Sequence, residues 1–213
     1  MIALAILAAL QFHDVQVLKP EEVMPVMRSL RAALGAKCAA CHDVTNRNYA
    51  SDAKKEKVRA REMMRMNAEI VERTFKGEPR VGCWTCHRGG LEPPKVAPFA
   101  RELPQGFPPL AGEDLEKPAG QVFKDVRQLR GVDARNFGLI MGWFTRELGV
   151  KCAYCHAEGG FDAPTPRKDR AREMLQMTSY VADEYYKGDS PIGCGTCHRG
   201  EPIPLTAPDR RAK

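Results

Sequence analysis

All eight cysteines and four of the five histidines lie in four copies of one short pattern, Cys-x-x-Cys-His. The copies are Cys38-Ala-Ala-Cys41-His42, Cys83-Trp-Thr-Cys86-His87, Cys152-Ala-Tyr-Cys155-His156 and Cys194-Gly-Thr-Cys197-His198. This pattern is typical of covalent attachment of c-type haem. Two cysteines three residues apart lie on neighbouring positions of a helical turn, so both sulfurs reach the vinyl groups of one porphyrin. The following histidine can bind the iron as its proximal ligand, and the sequence predicts four covalently bound haem c groups.

Two other chemistries use paired cysteines. Pairs of Cys-x-x-Cys segments form zinc sites, and a single Cys-x-x-Cys acts as a redox dithiol. Neither explains a histidine directly after the second cysteine in all four copies, so haem is favoured. A disulfide framework is excluded, because no cysteine lies outside the motifs. Since thioether attachment of haem takes place outside the cytoplasm, we expect an exported protein in the periplasm or on the outer face of the membrane.

Residues 1–10 form an apolar run about as long as the core of a signal peptide and shorter than the ~20 residues that span a bilayer. No Lys or Arg precedes this run, and no small-residue cleavage site stands before Gln11. We therefore interpret residues 1–10 as an apolar leader or a short anchor through which the N-terminus associates with a membrane.

The basic charge does not indicate nucleic-acid binding. The formal net charge is +6, but each haem adds two propionates, which takes the net charge to about −2 with all haems reduced and about +2 with all oxidised. The excess of cations is thus largely compensation for the haems. We interpret the charged runs that begin at Lys54 and Arg167 as solvated helix starts.

The chain is an internal duplication. Residues 57–89 align with 168–200 at a constant offset of 111, and the offset around the first motif of each half is 114. The sequence therefore predicts two copies of a two-haem unit, 11–90 and 120–213. Residues 91–119 between them are rich in proline, which is typical of an extended, semi-rigid connector.

Helical periodicity precedes every motif. The segments 21–34 and 133–148 stop at Gly35 and Gly149, and the segments 54–76 and 167–187 stop at Gly77 and Gly188. No run of residues favours a strand. The predicted fold class is mainly α, a multihaem cytochrome c made of two pseudo-repeated helical two-haem units with little or no sheet.

The histidine count limits the distal ligands of the irons. Only His13 remains for four distal positions, so at least three irons take methionine, another ligand or nothing. His13 aligns with Lys124 of the second unit, which makes it a runner-up. Met27 and Met141 each stand 11 residues before the first cysteine of a motif, in register with the repeat. They are the predicted distal ligands of the first and third haems.

The second methionine pair is ambiguous on spacing alone. Met63 and Met174 stand 20 residues before the cysteines that follow them, whereas Met66 and Met177 stand 17 before. Positions three apart share one face of a helix, so both pairs stay open at this point. An ordinary core role for such methionines is the competing interpretation.

The order of these segments resembles a known family. Phe12-His-Asp-Val-Gln-Val-Leu-Lys19, Met27, Leu-Gly-x-Lys-Cys-x-x-Cys-His, Ala60-Arg-Glu-Met-Met-Arg-Met66 and Cys-x-Thr-Cys-His-Arg-Gly follow one another as in the tetrahaem cytochrome subunit of purple-bacterial photosynthetic reaction centres. The resemblance covers nearly the whole chain after residue 11. It implies Met27, Met63 and Met141 as distal ligands of the first three haems.

The fourth haem departs from that family. There it is bound by two histidines, the distal one from the segment between the second-haem methionine and its cysteine. This sequence has no histidine between Met63 and Cys83, and the repeat nominates Met174 instead.

Methionine paired with histidine raises the potential of a haem above that of a bis-histidine haem. The sequence therefore predicts an extracytoplasmic electron carrier rather than an enzyme, with a redox-protein donor and acceptor and no nucleic-acid partner. The resemblance adds a membrane-bound reaction centre as a partner. Three alternatives stay open: a true reaction-centre donor subunit, a haem enzyme with one open iron site, and a homo-oligomeric or filamentous haem conduit.

Overall fold

The computed structural model describes residues 14–98, 101–157 and 160–208. Its α-helices are α1 Val23–Leu34, α2 Lys55–Phe75, α3 Cys83–His87, α4 Ala119–Val122, α5 Ala134–Leu148, α6 Pro166–Tyr186 and α7 Cys194–Cys197. Short 3-10 turns cover Pro20–Glu22, Cys38–Ala40, Gly112–Asp114 and Cys152–Tyr154. Extended pairing among the described residues is limited to isolated bridges. The predicted mainly α fold class is confirmed. The predicted leader, residues 1–10, and His13 lie outside the described residues.

The chain divides into two compact units. The first contains the described residues up to Pro94 together with 205–208, and the second is Lys95–Pro204. Each unit holds one long helix before its first motif and another before its second, in the order that the duplication predicts.

Most of the proline-rich segment belongs to the second unit. Leu103 and Phe107 lie where a Cβ at Gly138 would stand, and Pro104 lies 3.2 Å from a Cβ built at Gly142. Two glycines four residues apart on α5 thus leave a shallow groove that the segment fills. The proline density of 91–119 alone predicts a separate connector. It does not reveal the groove on α5, which lies far along the chain and is visible only in the folded structure.

The helix ends follow the glycines that the sequence singled out. Gly35 after α1 and Gly149 after α5 are left-handed, with φ of +60° and +63°. Both also lie against the loop that follows the second motif of the same unit, since a Cβ at Gly35 would overlap the carbonyl oxygen of Gly89 and a Cβ at Gly149 that of Gly200. A side chain is therefore excluded for both conformational and steric reasons.

Hydrogen bonds reinforce this junction between the two motifs of a unit. The Gly89 amide donates to the Ala33 carbonyl oxygen at 2.7 Å, and the Gly200 amide donates to the Glu147 carbonyl oxygen at 2.8 Å. Helix α1 also packs on α3, and α5 packs on α7. The helix that precedes the first motif of each unit is thereby held against the second motif.

An ionic cluster with two buried cations fixes the start of the second long helix in the first unit. Lys57 and Arg61 are only 8% and 7% exposed. Arg61 contacts the carboxylates of Asp14 and Asp52 at 2.5 and 2.7 Å, and Lys57 contacts the same carboxylates at 3.4 and 3.1 Å. Hydrogen bonds from Gln16, Arg61 and Lys57 lower the pKa of Asp14 to about 2.

The second unit repeats this cluster. Lys168 and Arg172 contact the Asp125 carboxylate at 2.6 and 2.8 Å. These two cations hold the pKa of Asp125 well below its ordinary range. The interpretation of the charged runs as solvated helix starts is wrong for Lys57 and Lys168, because each has an aspartate partner 43 residues earlier in the chain.

We expect Gly149→Ala to destabilise the protein by about 3 kcal/mol, because the alanine meets both a left-handed backbone and the Gly200 carbonyl. Gly188→Ala is the matched control, since Gly188 is also left-handed but has open space where a Cβ would stand. It should cost only about 1 kcal/mol. Chemical denaturation of the holoprotein measures both. Equal losses would show that the contact with Gly200 contributes nothing.

We expect Asp125→Asn to cost about 2 kcal/mol at pH 7, because Lys168 and Arg172 lose their shared charged acceptor. Asp114→Asn, which removes an exposed ion pair with Lys117, should cost less than about 0.5 kcal/mol. The measurement is the thermal midpoint of each variant.

The pH dependence has a defined sign. A carboxylate with a lowered folded-state pKa stabilises the fold above its unfolded pKa of about 3.9, and this contribution is lost as the pH falls through the folded-state value. The native protein should therefore lose stability between pH ~4 and ~2, the window set by Asp14. In Asp125→Asn the stability should fall less steeply as the pH is lowered through this window. If stability depends on pH as steeply in the variant as in the native protein, the role of the cluster is contradicted.

Candidate haem sites

The four motifs fold as two kinds of turn. The second motif of each unit forms a short α-helix, α3 or α7. The first motif forms a 3-10 turn at Cys38–Ala40 or Cys152–Tyr154. In either form the histidine or the second cysteine closes a hydrogen bond to the carbonyl of the first cysteine. Both cysteines of each motif therefore lie within one turn, as attachment to one porphyrin requires.

A buried threonine shapes the second motif of each unit. Thr85 and Thr196 are 0% and 1% exposed. Their hydroxyl oxygens accept hydrogen bonds from the backbone amides of Gly82 at 3.1 Å and Gly193 at 3.0 Å. Each threonine thus secures the first turn of α3 or α7 before the histidine.

All four motif histidines have the same hydrogen bond. Nδ1 of His42, His87, His156 and His198 lies 2.9–3.1 Å from a backbone carbonyl oxygen a few residues further along the chain. The acceptors are the carbonyls of Tyr49, Gly90, Phe161 and Glu201. Because a carbonyl only accepts, Nδ1 carries a proton, and in the neutral imidazole Nε2 therefore keeps its lone pair. This is the arrangement by which a second shell orients an imidazole toward a metal.

Further contacts hold the histidine of the third motif. The Phe161 ring lies 5.0 Å from the His156 ring, centroid to centroid. The Phe161 carbonyl oxygen also accepts a hydrogen bond from the Lys168 ammonium at 3.1 Å, which ties this loop to the ionic cluster. Burial lowers the pKa of His156, so the neutral, metal-binding form of its imidazole is favoured.

The eight cysteines form no disulfide and lie in four separate Cys-x-x-Cys pairs. Burial raises the pKa of Cys41, Cys83 and Cys155, and burial with the Glu147 carboxylate raises that of Cys194 to about 11. Across the described residues, no three side chains of His, Cys, Asp or Glu converge as a metal-ion site would need. The thiols are thus placed for pairwise attachment to separate groups.

A cavity of about 520 Å³ opens inside the second unit. Its volume falls within the ~300–1,000 Å³ typical of cofactor pockets. Motif residues from both halves of the unit line it, namely Cys152, Cys155, His156, Cys194 and His198. Phe107, Phe123 and Phe137 form an aromatic wall, with centroid distances of 5.6 and 5.2 Å along the series. The donor set and the apolar walls fit haem c.

The methionines of the second unit differ in their relation to this cavity. Met141 on α5 and Met174 on α6 both line it, whereas Met177 is not among the lining residues. In the first unit, Met66 is buried at 7% exposure together with Ile70, one helical turn further along α2. Met27 and Met63 are half-buried.

Sequence reasoning missed several residues that shape these sites. The ionic cluster and the buried threonines were visible as matches at the offset of 111, but a match does not show that a side chain is buried. Glu147, whose carboxylate approaches the fourth motif, has no acidic counterpart in the first unit and left no signal in the repeat.

None of the helices in 14–98, 101–157 and 160–208 combines the length and apolar character needed to cross a bilayer.

Comparison with known proteins agrees with the motif order. The model of the family described as photosynthetic reaction centre cytochrome C subunit matches the chain twice, over residues 6–106 and 98–209. Two successive matches are the expected result for a duplicated chain.

Three relatives illustrate the similarity. The photosynthetic reaction center cytochrome c subunit of Roseobacter denitrificans is 32% identical over 52% of this chain and 32% of its own length. That of Rubrivivax gelatinosus is 24% identical over 91% of this chain and 67% of its own length. Cytochrome c-554 of Chloroflexus aurantiacus is 24% identical over 82% of this chain and 64% of its own length. The chain thus spans about a third to two thirds of these relatives. It belongs to the family of photosynthetic reaction centre cytochrome c subunits, electron-transport proteins with covalently bound haem c.

Proposed function

We propose that this chain is an electron carrier with four covalently bound haem c groups. The cysteine pairs of the four motifs would hold the porphyrins, and His42, His87, His156 and His198 would bind the irons from one side. Met27, Met63, Met141 and Met174 would bind the first to fourth irons from the other side. The observation that carries the proposal is the hydrogen bond from Nδ1 to a carbonyl, present at every motif histidine.

The cavity of the second unit supports Met141 and Met174 as ligands. A distal methionine must reach the space that a porphyrin would fill, and both residues line the cavity together with His156 and His198. Met177 is not part of the lining, which favours Met174 over Met177 for the fourth iron.

The repeat extends this assignment to the first unit. Met27 corresponds to Met141 at the offset of 114, and Met63 corresponds to Met174 at the offset of 111. Burial of Met66 with Ile70 supports a core role for Met66, as is usual for methionines at helical spacing. Met63 is therefore favoured as the ligand of the second iron.

Haem supplies one-electron chemistry when it is bound, and the protein contributes position and electrostatics. Here the cysteines of the motif turns would hold the porphyrin, and the carbonyls of Tyr49, Gly90, Phe161 and Glu201 hold the imidazoles. Methionine and histidine together as iron ligands would raise the potential of a haem and would leave no open position for a substrate. The residues thus favour electron transfer over bond-making catalysis.

The arrangement inside each unit suits a relay. In the second unit, residues of both motifs line one cavity, which would bring the third and fourth haems close together. The glycine junctions at Gly35 and Gly149 would keep the two haems of each unit in a fixed relation.

The names of the relatives support a proposal for the partners. We propose that the chain acts outside the cytoplasm, between a redox-protein donor and a redox-protein acceptor. Two of its relatives are named as subunits of photosynthetic reaction centres, which favours a membrane-bound reaction centre as the acceptor. Membrane association through residues 1–10 and assembly into homo-oligomers belong to the same proposal.

Methionine substitution tests the ligand assignment. Met141→Leu should lower one of four midpoint potentials and weaken the methionine–iron charge-transfer band of the ferric protein, because leucine has no donor atom. Met177→Leu is the matched control and should leave all four potentials unchanged. Optical redox titration of the holoproteins measures both effects.

The same titration separates the alternatives. If Met141→Leu leaves the potentials and the band intact, Met141 is not a ligand. A high-spin component that binds cyanide or carbon monoxide in the native protein would contradict the six-coordinate electron carrier and favour an enzyme.

A further inference from the structure

One carboxylate lies directly against the fourth motif. Glu147 is the second-to-last residue of α5, and its side chain is 11% exposed. Its Oε2 faces Gly195, the residue after the first cysteine of the motif, and a Cβ at that position would overlap the carboxylate. Glycine at position 195 therefore admits the acidic side chain, and any larger residue would displace it.

The first unit has the opposite combination at the same place. Ala33 and Glu147 are equivalent, because their carbonyls accept the corresponding bonds from Gly89 and Gly200. Gly195 corresponds to Trp84 at the offset of 111. The first unit thus combines a small helix residue, Ala33, with a large motif residue, Trp84. The second unit combines the larger Glu147 on the helix with Gly195 in the motif.

We propose that Glu147 sets the redox potential of the fourth haem, and that its negative charge makes this haem easier to oxidise than the second haem. This inference rests on the proposed function, since it requires a haem at the fourth motif. Glu147 acts through its charge and is not an iron ligand.

The electrostatic argument uses the surroundings of Glu147. A negative charge favours the ferric form, which carries one more positive charge than the ferrous form, and it acts more strongly where water is excluded. Glu147 Oε2 lies against Gly195, the residue that follows Cys194, so its field reaches the motif.

The neighbouring cation offsets only part of this charge. Arg146 Nε donates to Glu147 Oε1 at 3.0 Å, but the Arg146 side chain is 46% exposed and also donates to the Pro98 carbonyl. Because water screens an exposed charge better than a buried one, the carboxylate dominates the field at Gly195.

Glu147→Gln tests the proposal with little change of shape. In an optical redox titration of the holoprotein, one of four midpoints should rise. At a fixed applied potential, the ratio of reduced to oxidised haem at that site should increase about three- to tenfold, the scale of one partly offset unit charge ~10 Å away at an effective dielectric constant of ~20. Combined with Met174→Leu, the substitution should move the same midpoint, which assigns it to the fourth haem.

Two further variants serve as a charge control and as an independent test. Glu173→Gln removes an exposed carboxylate of the same unit, paired with Arg170, and should leave all midpoints unchanged. The exchange Ala33→Glu with Trp84→Gly copies the second-unit combination into the first unit. It should lower the midpoint potential of one haem other than the fourth. This result does not depend on whether Glu147→Gln folds well.

The outcomes distinguish this inference from the proposed function. If the four midpoints are the same in the native protein, in Glu147→Gln and in the exchange variant, the role of Glu147 is overturned while the four-haem carrier stands. If mass spectrometry of the Cys194–Cys197 peptide shows no haem, the proposed function fails at this site, and the inference fails with it.

Discussion

The hydrogen bond between Nδ1 of each motif histidine and a backbone carbonyl is the constraint on which the sites depend. It fixes the tautomer of the neutral imidazole and leaves Nε2 as the atom that can bind a metal. The bond exists only if the loop with the carbonyl is held in place. Each unit must therefore fix two loops, those at Tyr49 and Gly90 in the first unit and those at Phe161 and Glu201 in the second.

Each unit fixes its two loops in different ways. The loop after the first motif is tied to an ionic cluster, as Lys168 shows by donating to the Phe161 and Ala163 carbonyls while it pairs with Asp125. The loop after the second motif is tied to a helix end, through the contact of Gly149 with Gly200. Duplication preserved both devices, and Glu147 marks a place where the two copies diverged.

Local signals predicted the helices and motifs well, because a glycine stop such as Gly149 and a Cys-x-x-Cys-His pattern act over a few residues. The environment of Lys168 was misjudged, because its partner Asp125 lies 43 residues away and only the folded chain brings them together. The approach of Glu147 to Gly195 likewise depends on the packing of α5 against α7. Spacing alone left Met174 and Met177 open, since both lie on one helix face, and the resemblance read through the repeat favoured Met174. The cavity, which Met174 lines, supports the same proposal.

Haem content per chain tests the account most directly. Intact mass spectrometry of the denatured, purified protein retains haem that is bound through thioethers and removes any group that is merely coordinated. Four haem masses per chain, with no remaining free thiol, is the predicted result. Fewer than four haem masses per chain would contradict the account. Motif cysteines that are joined in disulfides, or that are free after denaturation because they had bound zinc, would contradict it as well.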